Sequence, residues 1–269
     1  MHRRFQSAAL LTCAVMAATV LPTGQGASAA DEPPPAIALA STPDRGQVTG
    51  GDALLRITTA DHQPARVEVN GTAADGFRRQ PDGTLLGRVT GLNNGKNRIT
   101  AQAGGRTSAR TLTNHRATGP VFSGPRAAPF YCETTAFGLA PAKQPDCSAP
   151  AKVSYKYRSK LGTFLPLADP DQRPLDLATA TVGGRKVPYI VRIETGTLNR
   201  AVYETAALYD GSDPSPLRRT KSWNGRLVYT FGGGCSGGHH QGAQTGGVLN
   251  DTFLSRGFAV ASSTLNVLE

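Results

Sequence analysis

Residues 231–240 read Phe-Gly-Gly-Gly-Cys-Ser-Gly-Gly-His-His, and that short run could do chemistry in three ways. Gly232, Gly233 and Gly234, followed by Cys235, present successive backbone N–H groups with almost no side chain to keep a ligand oxygen away. Fixed amides that converge on developing negative charge form an oxyanion hole. Gly232, Gly233, Gly234 and Cys235 are therefore the candidate oxyanion-binding backbone. Ser236 lies in Gly234-Cys235-Ser236-Gly237-Gly238, which satisfies G-x-S-x-G and would make its hydroxyl a nucleophile. That motif works on a sharp strand-to-helix elbow, which three glycines before it and Gly-Gly-His-His after it would blunt, so no nucleophile is assigned. His239 and His240 could serve as a base or as metal ligands. Neighbouring residues point apart and no carboxylate stands at motif spacing, so they read as a polar loop. No Lys follows the glycines, which sets the phosphate-binding loop aside.

The glycines need a strand to aim them. Residues 227–231, Leu-Val-Tyr-Thr-Phe, have the apolar, β-branched and aromatic make-up of a short buried strand. A helix is expected over residues 248–256, closed by Gly257, and a second buried strand over 258–263. Strand, loop, helix and strand in that order make a βαβ unit and predict a parallel sheet. In lipase- and esterase-type α/β-hydrolases the loop after the third strand has an H-G-G-G character and lends one N–H to the oxyanion. Here Phe231 stands where those enzymes often carry His. Alternating segments at 153–158, 187–194 and 201–209 would begin the same sheet as a hairpin or meander. Glu194 and Arg200 read as an ion pair flanking a turn. Trp223, the sole tryptophan, reads as packing ahead of a core strand, with a substrate groove as the alternative.

The N-terminus places the chain in a compartment. A basic head, an apolar run over residues 8–21 and small residues at 27–30 make residues 1–30 a secretory signal peptide. The apolar run is too short to span a bilayer, and no other membrane segment is evident. Residues 31–36 hold three prolines and read as an extended linker. Of the four cysteines, Cys13 leaves with the signal. Cys132 and Cys147 form the expected disulfide of an exported chain, closing a loop of about 15 residues worth about 3 kcal/mol. Cys235 is then left over. No set of ligands at metal spacing is present and no cofactor motif is found. The net charge of +10 is spread over many arginines without a basic stripe or a recognisable motif, which argues against a nucleic-acid partner.

Residues 37–115 carry alternating strands at 53–58 and 65–70, a further strand at 97–101, and turn pairs at Asn70-Gly71, Asp82-Gly83 and Asn94-Gly95. That spacing predicts an Ig-like β-sandwich without a disulfide. Proline and glycine around 119–125 mark the next boundary.

Five blocks carry a family resemblance. They are Gly-Pro-Val-Phe-Ser-Gly-Pro at 119–125, Pro-Phe-Tyr-Cys-Glu-Thr at 129–134, Val-Pro-Tyr-Ile-Val-Arg at 187–192, Trp-Asn-Gly-Arg-Leu-Val-Tyr-Thr-Phe-Gly-Gly-Gly-Cys at 223–235 and Arg-Gly-Phe-Ala-Val-Ala-Ser-Ser at 256–263. Over most of residues 36–269 the chain resembles an uncharacterised family of secreted actinobacterial proteins. Those proteins join an Ig-like N-terminal module to a domain similar to α/β-hydrolases. The resemblance implies esterase-like chemistry and a serine elbow farther along than residue 269.

The sequence thus predicts an Ig-like β-sandwich (37–115) followed by an incomplete α/β, α/β-hydrolase-like domain (116–269). The expected function is that of an exported, esterase-type hydrolase-like protein, truncated before its nucleophile and inactive as it stands. Its substrate would be a small-molecule or polymer ester. The alternative is a non-catalytic secreted binding or spacer protein in which the Ig-like module contacts cell wall or polysaccharide.

Overall fold

The computed structural model describes residues 33–42, 45–117, 128–232 and 239–266. The signal peptide (1–30), the block at 119–125 and the run from Gly233 to Gly238, with Gly234, Cys235 and Ser236 in it, lie outside the described residues.

Strands β1 (Ala36–Leu39), β2 (Gln47–Thr49), β3 (Ala53–Thr58), β4 (Arg66–Val69), β5 (Thr72–Ala74), β6 (Arg78–Arg79), β7 (Leu85–Val89), β8 (Gly95–Ala103) and β9 (Arg106–His115) build two sheets, ordered β1-β3-β7-β6 and β2-β9-β8-β4-β5. Period-2 alternation does the work. Leu55 and Ile57 from one sheet and Val67, Ile99, Ala101 and Leu112 from the other are buried in one shared core. The module is a β-sandwich held by that core. Asn70 and Gly71 both have positive φ and close the β4–β5 hairpin with Val69 opposite Thr72, as the Asn-Gly pair predicts.

The second half comprises β10 (Lys152–Arg158), β11 (Phe164–Leu167), β12 (Thr179–Val182), β13 (Arg185–Pro188), β14 (Ile190–Leu198), β15 (Ala201–Leu208), β16 (Leu227–Tyr229), the α-helix α1 (Asp251–Leu254) and β17 (Ala259–Ser263). Six strands form a sheet in the order β11-β10-β14-β15-β17-β16, and β12 and β13 form a separate hairpin. Val191, Ile193, Ala206, Leu208 and Val260 project from one face of that sheet, and Leu254 of α1 and Val182 of β12 pack on it.

This corrects the expected α/β, α/β-hydrolase-like domain. The described part is almost entirely β: its only α-helix is four residues long, and every pair in the six-stranded sheet is antiparallel except β16–β17. Two physical reasons account for the difference. Hairpin-linked strands extend a sheet without crossover helices, and β10–β11 and β14–β15 are such pairs. The expected helix over 248–256 also has little room. Gly246 and Gly247 precede it, Asn250 starts it, and Gly257 at φ +78°, the left-handed position that suits glycine, ends it. The expected parallel relation of the strands on either side of the loop is present, with Val228 opposite Val260.

Candidate functional site

The tip of β16 is clamped before it reaches the glycines. The Thr230 amide donates to the Ala261 carbonyl at 2.9 Å, which carries the parallel pairing one residue past the strand. The Thr230 hydroxyl donates to the Gly247 carbonyl at 2.7 Å. Ser262, on the neighbouring β17, donates its hydroxyl to the Thr230 carbonyl at 2.9 Å and accepts the Gly246 amide at 2.7 Å. A Cβ on Gly246 would lie 3.0 Å from Phe231 C, Ser262 Oγ and the Thr230 carbonyl oxygen, so the close approach of this loop favours glycine. Glu204 of β15 accepts the Thr245 hydroxyl at 2.6 Å. The chain thus delivers half-buried Gly232 from a fixed position. Gly233, Gly234, Cys235 and Ser236, the rest of the expected site, lie outside the described residues. A cleft of about 460 Å³ opens beside Thr230 and carries Lys156, Glu204 and Asn250 on its walls.

The chain returns at His239, and here the structure supplies partners that local spacing does not announce. The Tyr131 amide donates to the His239 carbonyl at 2.7 Å and the Gln241 amide to the Tyr131 carbonyl at 2.8 Å, a short parallel bridge. His239 Nδ1 lies 2.9 Å from the Pro129 carbonyl oxygen. His240 stacks on the Tyr131 ring at 4.9 Å, with its Nδ1 3.7 Å from Glu133 Oε1. No carboxylate stands at motif spacing in the sequence; the fold brings Glu133 beside His240 from 107 residues away. Glu133 also accepts the Gly242 amide at 2.8 Å.

Cys132 and Cys147 are bonded, as expected. Buried Gln241 joins this disulfide-closed loop to the histidine segment. Its Oε1 accepts the Glu133 amide at 2.8 Å, and its Nε2 donates to the Cys147 carbonyl at 2.9 Å. Nothing in the sequence around Gln241 marks it out.

Two further expectations change. Glu194 pairs with Arg192 at 3.1 Å and not with Arg200, whose guanidinium covers the Phe130 ring at 4.4 Å. Trp223 does not enter the core as packing alone: it is half-buried, donates to the Arg226 carbonyl at 2.9 Å and lines a second cleft. Buried Tyr189 and half-buried Tyr203 are held protonated beyond the ordinary tyrosine range. Burial, then Glu194, pushes Tyr203 up to about 12. Burial, then Asp251, pushes Tyr189 higher still. Among the described residues no group of His, Cys, Asp and Glu could hold a metal ion.

A family model matches residues 37–269, that of a tannase-like family of unknown function (DUF6351). No curated protein matches the chain. Among solved structures, tandem Ig repeats of Dlar are 14% identical, with 66% of this chain and 90% of that one covered and a TM-score of 0.24. An I-band fragment from titin is 12% identical, with 75% and 72% covered and a TM-score of 0.20. Neither score is high enough to bear on fold or function. By the match over residues 37–269, the chain belongs to the tannase-like family of unknown function.

Proposed function

We propose that this chain serves esterase-type hydrolysis by presenting the backbone amides of residues 232–235 to the oxyanion of a tetrahedral intermediate. The observation that carries the reading is the clamped exit of β16. Thr230 is held by Ala261, Gly247 and Ser262, and the next residues to leave the strand are Phe231 and three glycines. Donors fixed in advance stabilise charge at no cost of reorganisation, and removing one costs about 10²–10³ in rate. The tannase-like family supports a hydrolase in the broad sense. The substrate class is an ester, small or polymeric. The same reading holds that the protein is exported, which the basic head, the apolar run over 8–21 and the Cys132–Cys147 bond support.

Titration with phenyl methylphosphonate, a tetrahedral monoanion shaped like an ester addition intermediate, tests the oxyanion role. Saturable binding that weakens about tenfold in Gly233→Pro, which deletes one N–H, is the expected result. Binding that ignores this substitution overturns it.

The contact of His240 with Glu133 favours a second reading, in which Ser236 is the nucleophile, His240 its base and Glu133 the orienting acid. Hydrolysis of p-nitrophenyl acetate that disappears in both Ser236→Ala and His240→Ala would establish it.

A further inference from the structure

On the sheet face opposite the Ala206–Leu208–Val260 core lies a cleft of about 370 Å³ that the proposed hydrolysis does not use. Its floor is made of small residues. Ala207 of β15 stands directly opposite Arg192 of β14, Thr205 stands opposite Glu194, and Ala259 of β17 continues the floor. Larger residues rise around it. Tyr209 and Trp223 line it, with Pro214 and Pro216 of the 210–223 loop. The hollow exists because alanines sit where neighbouring strands carry long side chains. Its volume falls at the small end of the range of about 300–1,000 Å³ for small-molecule sites.

The wall is apolar in body and positive in charge. Arg192, Arg218 and Arg219 line it against one carboxylate, Glu194. That carboxylate is already engaged. Its Oε2 accepts both terminal nitrogens of Arg192 at 3.1 Å, and its Oε1 accepts the Tyr203 hydroxyl at 3.1 Å. Arg192 Nε is buried with no hydrogen-bond partner among the described residues, and a buried donor left unpaired is costly. Arg219 is held in place, its Nε donating to the Trp223 carbonyl at 3.1 Å and its guanidinium lying 5.3 Å from the Trp223 ring. A site with apolar walls and surplus guanidinium charge selects a ligand with an apolar body and one anionic head.

We propose that this cleft binds an apolar monocarboxylate, its body over Ala207 and Ala259 and its carboxylate toward the arginine side of the wall. None of its lining residues belongs to residues 231–240, so its test does not depend on the hydrolytic reading.

Trp223 is the only tryptophan in the sequence, so its emission reports occupancy directly. The full chain is titrated with 4-phenylbutyrate and with octanoate, and in parallel with the two corresponding neutral amides. The expected result is a saturable change in emission with at least one acid, and binding at least tenfold weaker for its amide. The stronger acid identifies an aryl or an alkyl body. Ala207→Phe, which fills the floor, should abolish the response. Should that variant fail to fold by far-UV circular dichroism, Arg219→Gln on the exposed side of the cleft takes its place and should weaken the acid while leaving the amide unchanged. No saturable change with either acid, equal binding of acid and amide, or a response that survives the folded variant would overturn the proposal.

Discussion

Gln241 reaches across 94 residues to donate its side-chain amide to the carbonyl of Cys147, at 2.9 Å and out of contact with water. With its other end it accepts the amide of Glu133. One side chain therefore pins both arms of a disulfide-closed loop to the segment that leaves the glycine run.

Replacing Gln241 by Ala leaves the Glu133 amide and the Cys147 carbonyl without a partner in a buried place. An unpaired buried group costs about 1–3 kcal/mol, and a loss of that order in urea unfolding is expected. Gln241→Glu keeps the acceptor for Glu133 but sets a buried carboxylate oxygen against the Cys147 carbonyl, so it should be at least as destabilising as Ala. Equal stability of all three proteins would refute the role given to this residue.

The Cys132–Cys147 bond closes a sequence separation of 15 residues. Changing both cysteines to Ser should cost about 3 kcal/mol by the chain-entropy argument, read as a fall in thermal midpoint. Residues 239–242 are bonded to Tyr131 and Glu133 on either side of Cys132. Their amides should therefore exchange hydrogen faster in the Ser variant, while those of β3 and β8 in the sandwich do not change.

Gly257 sits at φ +78°, and a Cβ there would lie 2.7 Å from Val182 and 2.9 Å from the Ser222 carbonyl oxygen. Left-handed backbone costs an ordinary residue about 1–2 kcal/mol, and overpacking adds about 1–3 kcal/mol. Gly257→Ala should be destabilising by both amounts together. Gly183 has φ +54° and open space at its Cβ, so Gly183→Ala should show the backbone cost alone. Comparison of the two unfolding midpoints separates sterics from conformation.

Tyr203 is held protonated up to about pH 12, against an ordinary value of 10, by burial and by Glu194. In the unfolded chain this tyrosine ionises from pH 10. Between pH 10 and 12 the unfolded state therefore binds fewer protons than the folded one, and stability falls as pH rises. Below pH 10 its contribution is complete. Tyr189 is shifted in the same direction by burial and by Asp251. Urea midpoints taken at pH 8, 10 and 11 should decline above 10, with a shallower decline in Tyr203→Phe. Absorbance at 295 nm should show late tyrosine titration in the folded protein, to which Tyr157 and Tyr209, shifted up by burial, also contribute.

Much of the local structure was legible from residue order alone. Alternation in 53–58 and 201–209 marks β3 and β15, because inward and outward side chains must face core and solvent in turn. Asn70-Gly71 marks a hairpin turn, since both residues accept positive φ. Cys132 and Cys147 mark a bond, and Gly257 marks a helix end. The glycines after β16 mark where side chains cease, which is a property of composition.

Tertiary structure decided what those pieces became. The sequence reading of an α/β domain rested on one real parallel pair, β16 and β17. Hairpins fix the direction of β10–β11 and β14–β15 locally, but which hairpins dock beside one another is encoded by no local pattern. Glu133 beside His240 and Gln241 beside Cys147 are contacts between residues far apart in the chain. A residue's partners at such separations are set by how whole strands pair and pack, so residue order specified the elements and the folded sheet chose their neighbours.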